Sequence, residues 1–289
     1  MKKIVFALKE FCEIRALKTI IQCCEDFGYS IQWSLLDFSV NTDFSFCSIE
    51  EAFADYANVS VISADDRKGI SGMKVYSFKT DMTHQLDSHV HAFISCAEIA
   101  ACRIYKRIQA ISDTESPRIV LGNVKIKAPA EDFQVEIFER LAGLLYHVIV
   151  VPRHPLTEEE MKVVKLPGNI EFRNTMGELE ELQASANLTI MGRIFSADGL
   201  KPDDDHNPLE ATINSNTLCG IIKEIPSAYA WMYEKSGLVH QCESYEGVFS
   251  KINALISDPS LPEKLKQRET WIQSNRKRYL ENLRVILEL

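Results

Sequence analysis

Short apolar runs alternate with helix-period segments along the whole 289-residue chain, and that alternation admits few folds other than parallel sheets wrapped by helices. Residues 4–8 form a run suited to a buried strand. Ile14, Leu17, Ile20, Ile21 and Cys24 then recur at helical spacing, and Gly28 stands where that helix should stop. Strands are predicted at 31–36 and 59–63 with a helix over 49–56 between them, then weaker strands at 75–78 and 92–95 and a helix over 98–111. The polar stretch Ser112-Asp113-Thr114-Glu115-Ser116-Pro117 punctuates the pattern as an interdomain linker. The expected domains are therefore 1–115 and 116–289.

The second half repeats the alternation more clearly. Strands are predicted at 118–122, 148–151, 170–172, 188–191, 217–221 and 238–241, and helices at 132–145, 158–164, 176–186, 207–214 and 245–256. These strands are apolar on both faces, as a sheet covered by helices on each side requires. Residues 261–287 form a long amphipathic stretch, expected to close the fold as a helix that packs back across the two domains. With 46% hydrophobic and 25% charged residues, each half can bury an ordinary core.

Charge and cysteines narrow the function classes. A net charge of −9 and a pI near 5.4 repel nucleic acid and anionic lipid, so any phosphate site must be local. Eight cysteines occur without a C-x-x-C pair, which predicts reduced, buried thiols and no structural metal. His84, His89 and His91 are too irregularly spaced to suggest one either. Met1-Lys2-Lys3 leads into an apolar run too short for a signal peptide, and nowhere do 18 apolar residues run together. A cytoplasmic protein with no transmembrane segment is the expectation.

Three segments carry chemistry. Val150-Val151-Pro152-Arg153-His154-Pro155 ends a predicted strand in a loop bearing Arg153 and His154, at the sheet edge where open α/β sheets bind ligands. Asn174-Thr175-Met176-Gly177-Glu178-Leu179 and His206-Asn207-Pro208-Leu209-Glu210-Ala211 each open a helix, where free N–H groups favour an anion. Asn207 and Glu210 lie three apart on one helix face, so both can reach the hydroxyls of one ribose; the same spacing also suits an N-cap and its capping-box partner. In this order and at these separations, the segments resemble the carboxy-terminal domain of the Kdo transferases. There a PRHP loop, a TMGEL helix start and an HNPLE helix start surround the nucleotide of the CMP-sugar donor.

The amino-terminal half resembles the same family at Phe11-Cys12-Glu13-Ile14-Arg15-Ala16, where the family has its general base in a loop after the first strand. Glu13 is that residue's counterpart; read without the family, it is also an ordinary first-turn acid favouring the positive end of a helix. The chain departs from the family pattern in several places. Cys12 replaces a glycine, Ala64-Asp65-Asp66 replaces a Glu-x-Glu segment, and the membrane-facing helices have no counterpart. Gly122-Asn123-Val124-Lys125 replaces a polar strand-end loop, Gly192-Arg193 a glycine pair, and Asp204-Asp205 two further glycines. Acids at Asp203 to Asp205 would repel a nearby phosphate unless Arg193 or Lys201 offset them.

The resemblance implies an α/β chain of the GT-B fold, two Rossmann-like domains with parallel sheets facing a cleft. It implies an inverting glycosyltransferase of the lipopolysaccharide-biosynthesis type, passing Kdo or a related acidic sugar from a CMP donor to a hydroxyl of a lipid or saccharide acceptor, with no further cofactor and no metal. Glu13 would be the base. Arg153, His154, Thr175, Met176, Gly177, Glu178, His206, Asn207 and Glu210 would bind the nucleotide. Two alternatives stand beside it. One is a nucleotide-sugar-binding or interaction module that has lost turnover. The other is a phage-type DNA glucosyltransferase, which the acidic pI disfavours because duplex affinity rests on phosphate neutralisation.

Overall fold

The computed structural model describes residues 2–8, 11–37, 48–63, 73–78, 91–94, 99, 103, 117–126, 132–153, 155–164, 167–174, 178–191, 194 and 207–289. Two compact units emerge: Met1–Arg103 with Ile272–Leu289, and Ile104–Trp271. The expected boundary at 115/116, the linker and most of the helix expected over 98–111 lie outside the described residues.

In the first unit β1 (Lys2–Leu8) is followed by α1 (Phe11–Asp26), β2 (Ile31–Asp37), α2 (Ile49–Ala52), β3 (Val59–Ser63), β4 (Val75–Ser77) and β5 (His91–Phe93). All pairs are parallel and the order is β3-β2-β1-β4-β5. The chain thus begins in mid-sheet, moves outward one way, then returns to the other side of β1. That reversal leaves a switch point at the carboxyl ends of β1 and β4. The apolar stripe of α1 explains its seat: Ile14, Leu17, Ile20, Ile21 and Cys24 are buried with Ile4, Phe6 and Leu8 in one cluster.

The second unit repeats the plan with six strands. β6 (Arg118–Val124), α3 (Asp132–Ala142), β7 (His147–Pro152), α4 (Glu158–Val163), β8 (Ile170–Phe172), α5 (Leu179–Ala184), β9 (Leu188–Met191), α6 (Pro208–Ala211), β10 (Asn216–Gly220), α7 (Ala230–Glu234), β11 (Val239–Cys242) and α8 (Tyr245–Ile256) follow in turn. The order β11-β10-β9-β6-β7-β8 is again wholly parallel and reverses between β6 and β9. This is Rossmann topology, with the ligand position expected outside the carboxyl ends of β6 and β9.

The closing helix α9 (Leu261–Ile286) belongs to both units, up to Trp271 with the second and from Ile272 with the first. Tyr279, Leu280, Leu283 and Leu287 are buried in the same cluster as β1 and α1. Its early turns hold the second unit: Arg268, only 3% exposed, donates from Nη2 to the Leu209 carbonyl at 2.6 Å and from Nε to Thr212 Oγ1 at 3.1 Å. Trp271 stacks on Trp231 of α7 with centroids 5.1 Å apart. Among the described residues no helix is long and apolar enough to cross a membrane.

Several elements differ from expectation, each for a local reason. The helix expected over 49–56 closes after Ala52, because the Ser48–Glu51 capping box fixes its start and residues 53–55 turn at once toward β3. The one expected over 207–214 closes after Ala211, where Thr212 Oγ1 bonds back to the Pro208 carbonyl at 2.7 Å and the chain turns into β10. The helix expected over 132–145 stops at Ala142, before the turn at Gly143. α7 has no counterpart among the predictions: Ala228-Tyr229-Ala230-Trp231-Met232-Tyr233 is apolar on every side and shows no period.

Candidate functional site

The switch point of the second unit carries a pocket lined by Gly122, Asn123, Leu179, Gln183, Met191, Asn207 and Glu210. Each lining residue is placed by the topology. Gly122 and Asn123 end β6, Met191 ends β9, Leu179 and Gln183 lie on α5, and Asn207 and Glu210 belong to α6 and its cap. The end of β6 is distorted: its pairing with β7 shifts register between Leu121 and Val124, and Asn123 adopts a φ of 61°. Asparagine tolerates this left-handed conformation better than most residues, and such departures cluster at ligand sites. A Cβ at Gly122 would lie 2.9 Å from Leu179 Cδ1, so the Leu179 side chain on α5 would have to shift.

α6 is a short element with a deliberate start. Asn207 is its N-cap, and its Oδ1 accepts from the Leu209 N–H at 3.1 Å; Pro208 at the first helical position has no N–H to offer. Two of the donors that a helix opening would give an anion are therefore absent or engaged. With four residues, α6 also builds little macrodipole. Its start presents a carboxylate and an amide rather than a phosphate nest. Arg268 of α9 grips the same helix from behind at the Leu209 carbonyl.

The other predicted nucleotide contacts distribute around the same sheet edge. Arg153 directly follows β7, half-buried, with its backbone N–H donating to the Val124 carbonyl at 2.8 Å, which ties the loop to the end of β6. Asn174 has a role that sequence reasoning missed. Its Oδ1 accepts from Leu156 N–H and its Nδ2 donates to the Leu156 carbonyl, both at 2.7 Å, so the loop after β8 pins the Arg153 loop. An Asn at the start of the motif segment was the available signal. Glu178 precedes α5 and is exposed. His154, Thr175, Met176, Gly177 and His206 lie outside the described residues, as do Asp203 to Asp205, Gly192 and Arg193.

Glu13 belongs to the first unit. It stands in the first turn of α1, directly after β1, on the side of the β1/β4 switch point, and is 1% exposed. Burial of a carboxyl group favours its neutral form unless bonds or charges compensate. Cys23, Cys24, Cys219 and Cys242 are buried free thiols, and burial pushes the Cys24 thiol up to about 12.

No protein-family model and no curated protein matches the sequence. Solved structures do match. The Anabaena protein Alr3699/HepE, crystallised with UDP and glucose, aligns at 10% identity over 98% of this chain and 99% of that one, with a TM-score of 0.59. A provisionally assigned UDP-N-acetylglucosamine 2-epimerase from Listeria monocytogenes aligns at 9% identity over 100% and 97%, with a TM-score of 0.56. The glycosyltransferase SnogD from Streptomyces nogalater aligns at 9% over 99% of each chain, with a TM-score of 0.53. At such identities the likeness concerns the fold, which is α/β of the GT-B class with two Rossmann-like units of parallel sheet.

Proposed function

We propose that this chain is a nucleotide-sugar-dependent glycosyltransferase, passing Kdo or a related acidic sugar from a CMP donor to a hydroxyl acceptor with inversion. The observation that supports it most is the pocket at the β6/β9 switch point, which holds Asn207 and Glu210 side by side where a Rossmann-like sheet takes its nucleotide. Glu210 would accept hydrogen bonds from ribose hydroxyls. Arg153, on its pinned loop, would neutralise the phosphate. Glu13 would take the proton of the acceptor hydroxyl as that oxygen bonds to the anomeric carbon, while the bond from that carbon to the phosphate oxygen breaks and CMP leaves with the electron pair. Because attack and departure occur on opposite faces of one carbon, configuration would invert.

A second reading, a nucleotide-sugar-binding module without turnover, draws on the burial of Glu13, which an acceptor would have to reach. Calorimetric titration with CMP, UDP and GDP tests what the two share. CMP is expected to bind, and Glu210→Ala to weaken it by about 1–3 kcal/mol through loss of hydrogen bonds to a charged acceptor. Unchanged affinity in that variant would leave Glu210 as no more than an acid in the first turn of α6. Release of CMP from a CMP-sugar that depends on added acceptor then separates the transferase from the binding module.

A further inference from the structure

The pocket contains a side chain that no motif singles out. Gln183 on α5 is 4% exposed, and its Oε1 has no hydrogen-bond partner. Buried amide oxygens are almost always satisfied, and an exception at the wall of a pocket marks a place where a bound group supplies the missing donor. Packing does not call for an amide here, since Leu179 and Leu182 on the same helix already pack against Val120, Ile149 and Val151. Gly122 makes the room: a Cβ there would lie 3.1 Å from Gln183 Nε2.

The chemistry of the lining limits the occupant. Asn207 Oδ1 accepts from its own helix, while Glu210 brings a carboxylate and Gln183 brings an amide oxygen. Acceptors of this kind repel phosphate oxygens and attract O–H groups. The lining therefore suits a hydroxylated ring rather than a phosphate group. We propose that Gln183 is a specificity-determining residue of the nucleotide-sugar site, an inference that rests on the function proposed above. Its Oε1 accepts from one hydroxyl of a vicinal diol whose other hydroxyl meets Glu210. The diol comes from the ribose or from the transferred sugar, and the phosphates lie outside this pocket, toward Arg153.

The test titrates the unmutated protein and Gln183→Leu with CMP and UDP, their 2′-deoxy and 3′-deoxy forms, UDP-glucose and CMP-N-acetylneuraminic acid. If the ribose supplies the diol, removing a hydroxyl weakens binding to the unmutated protein about 5–20-fold, and Gln183→Leu binds ribo and deoxy forms alike. If the sugar supplies it, the deoxy forms bind as well as the ribo forms, and a nucleotide sugar outbinds its nucleotide by a margin that Gln183→Leu loses. Gly122→Ala pushes a methyl group against the amide with Gln183 retained, and gives the same loss of discrimination should Gln183→Leu fail to fold. Thermal unfolding reports the folding of both variants. Nucleotides that bind with every ratio unchanged in both variants overturn the role of Gln183 and leave the proposed function standing. No binding of any nucleotide or nucleotide sugar by the unmutated protein overturns both.

Discussion

His240 lies on β11 with its Nε2 buried and without a hydrogen-bond partner. Burial lowers its pKa, Lys264 and Lys251 lower it further, and the charge of Asp258 together with the hydrogen bond between His240 and the Gly237 backbone only partly offsets them. The fold therefore prefers the neutral imidazole. The unfolded chain takes up its proton near the ordinary value of 6.5, so below that pH the unfolded state binds more protons and stability falls. The contribution is complete above the unfolded value and is lost as pH drops toward the lower folded one. Asp258 does not interfere in this window: burial raises its pKa, but bonds from Lys264, Ser260 and Asn216 outweigh that and hold it below the usual carboxylate range, so it is charged in both states. Denaturant midpoints measured between about pH 7 and pH 5 are expected to decline, and His240→Gln to flatten that decline. An equal slope in the variant would assign the decline to other groups. Cys23, Cys24, Cys219 and Cys242 belong to the same scale, since buried protonated thiols react with alkylating agents only after unfolding. Mass spectrometry of the labelled native protein should find these four unmodified.

Among the elements, α6 concentrates the most consequence in the fewest residues. It carries Glu210 and the cap Asn207 into the pocket, and Arg268 of α9 holds it by two hydrogen bonds to Leu209 and Thr212. Arg268→Met keeps the packing of the stem but leaves a buried carbonyl without its donor, a loss of about 2–4 kcal/mol in denaturant unfolding. Because the helix it releases bears Glu210, weaker CMP binding should accompany the loss, and intact binding would show that α6 needs no clamp. The alternation of apolar runs and helical periods made most elements legible, from α1 with its stripe at Ile14, Leu17 and Ile21 to the six strands of the second unit. What the sequence hid was determined by tertiary neighbours. α7 is apolar all round, so its period vanished. Gln183 sits between Glu180, Glu181 and a small-residue tail, and nothing in that composition says it faces inward. Its position four residues after Leu179, on the helix face that packs toward β6, was the one signal available.

At the scale of the whole molecule the residues proposed for the two tasks fall in different units: the pocket and Arg153 belong to the second, Glu13 to the first. Binding and turnover should therefore respond to different substitutions. Glu13→Gln exchanges a carboxylate for an amide of nearly the same shape and costs about 0.3–1 kcal/mol of interaction with the start of α1. Glu13 is 1% exposed and the amide fills the same space, so the variant is expected to be close to the unmutated protein in thermal stability. Nucleotide affinity should not change, because every described lining residue of the pocket lies in the second unit. Acceptor-dependent release of CMP should fall by roughly 10²–10⁴-fold, the usual contribution of a positioned base. The assay must compare release with and without acceptor, since spontaneous hydrolysis of a labile CMP-sugar also frees nucleotide. If release by Glu13→Gln is undiminished, the base lies elsewhere and Asp65 or Asp66, which follow β3, become the next substitutions to make. If the unmutated protein binds CMP yet shows no acceptor-dependent release with any saccharide or lipid acceptor, the second reading takes over: a GT-B fold that keeps its nucleotide pocket and has buried its base beyond use.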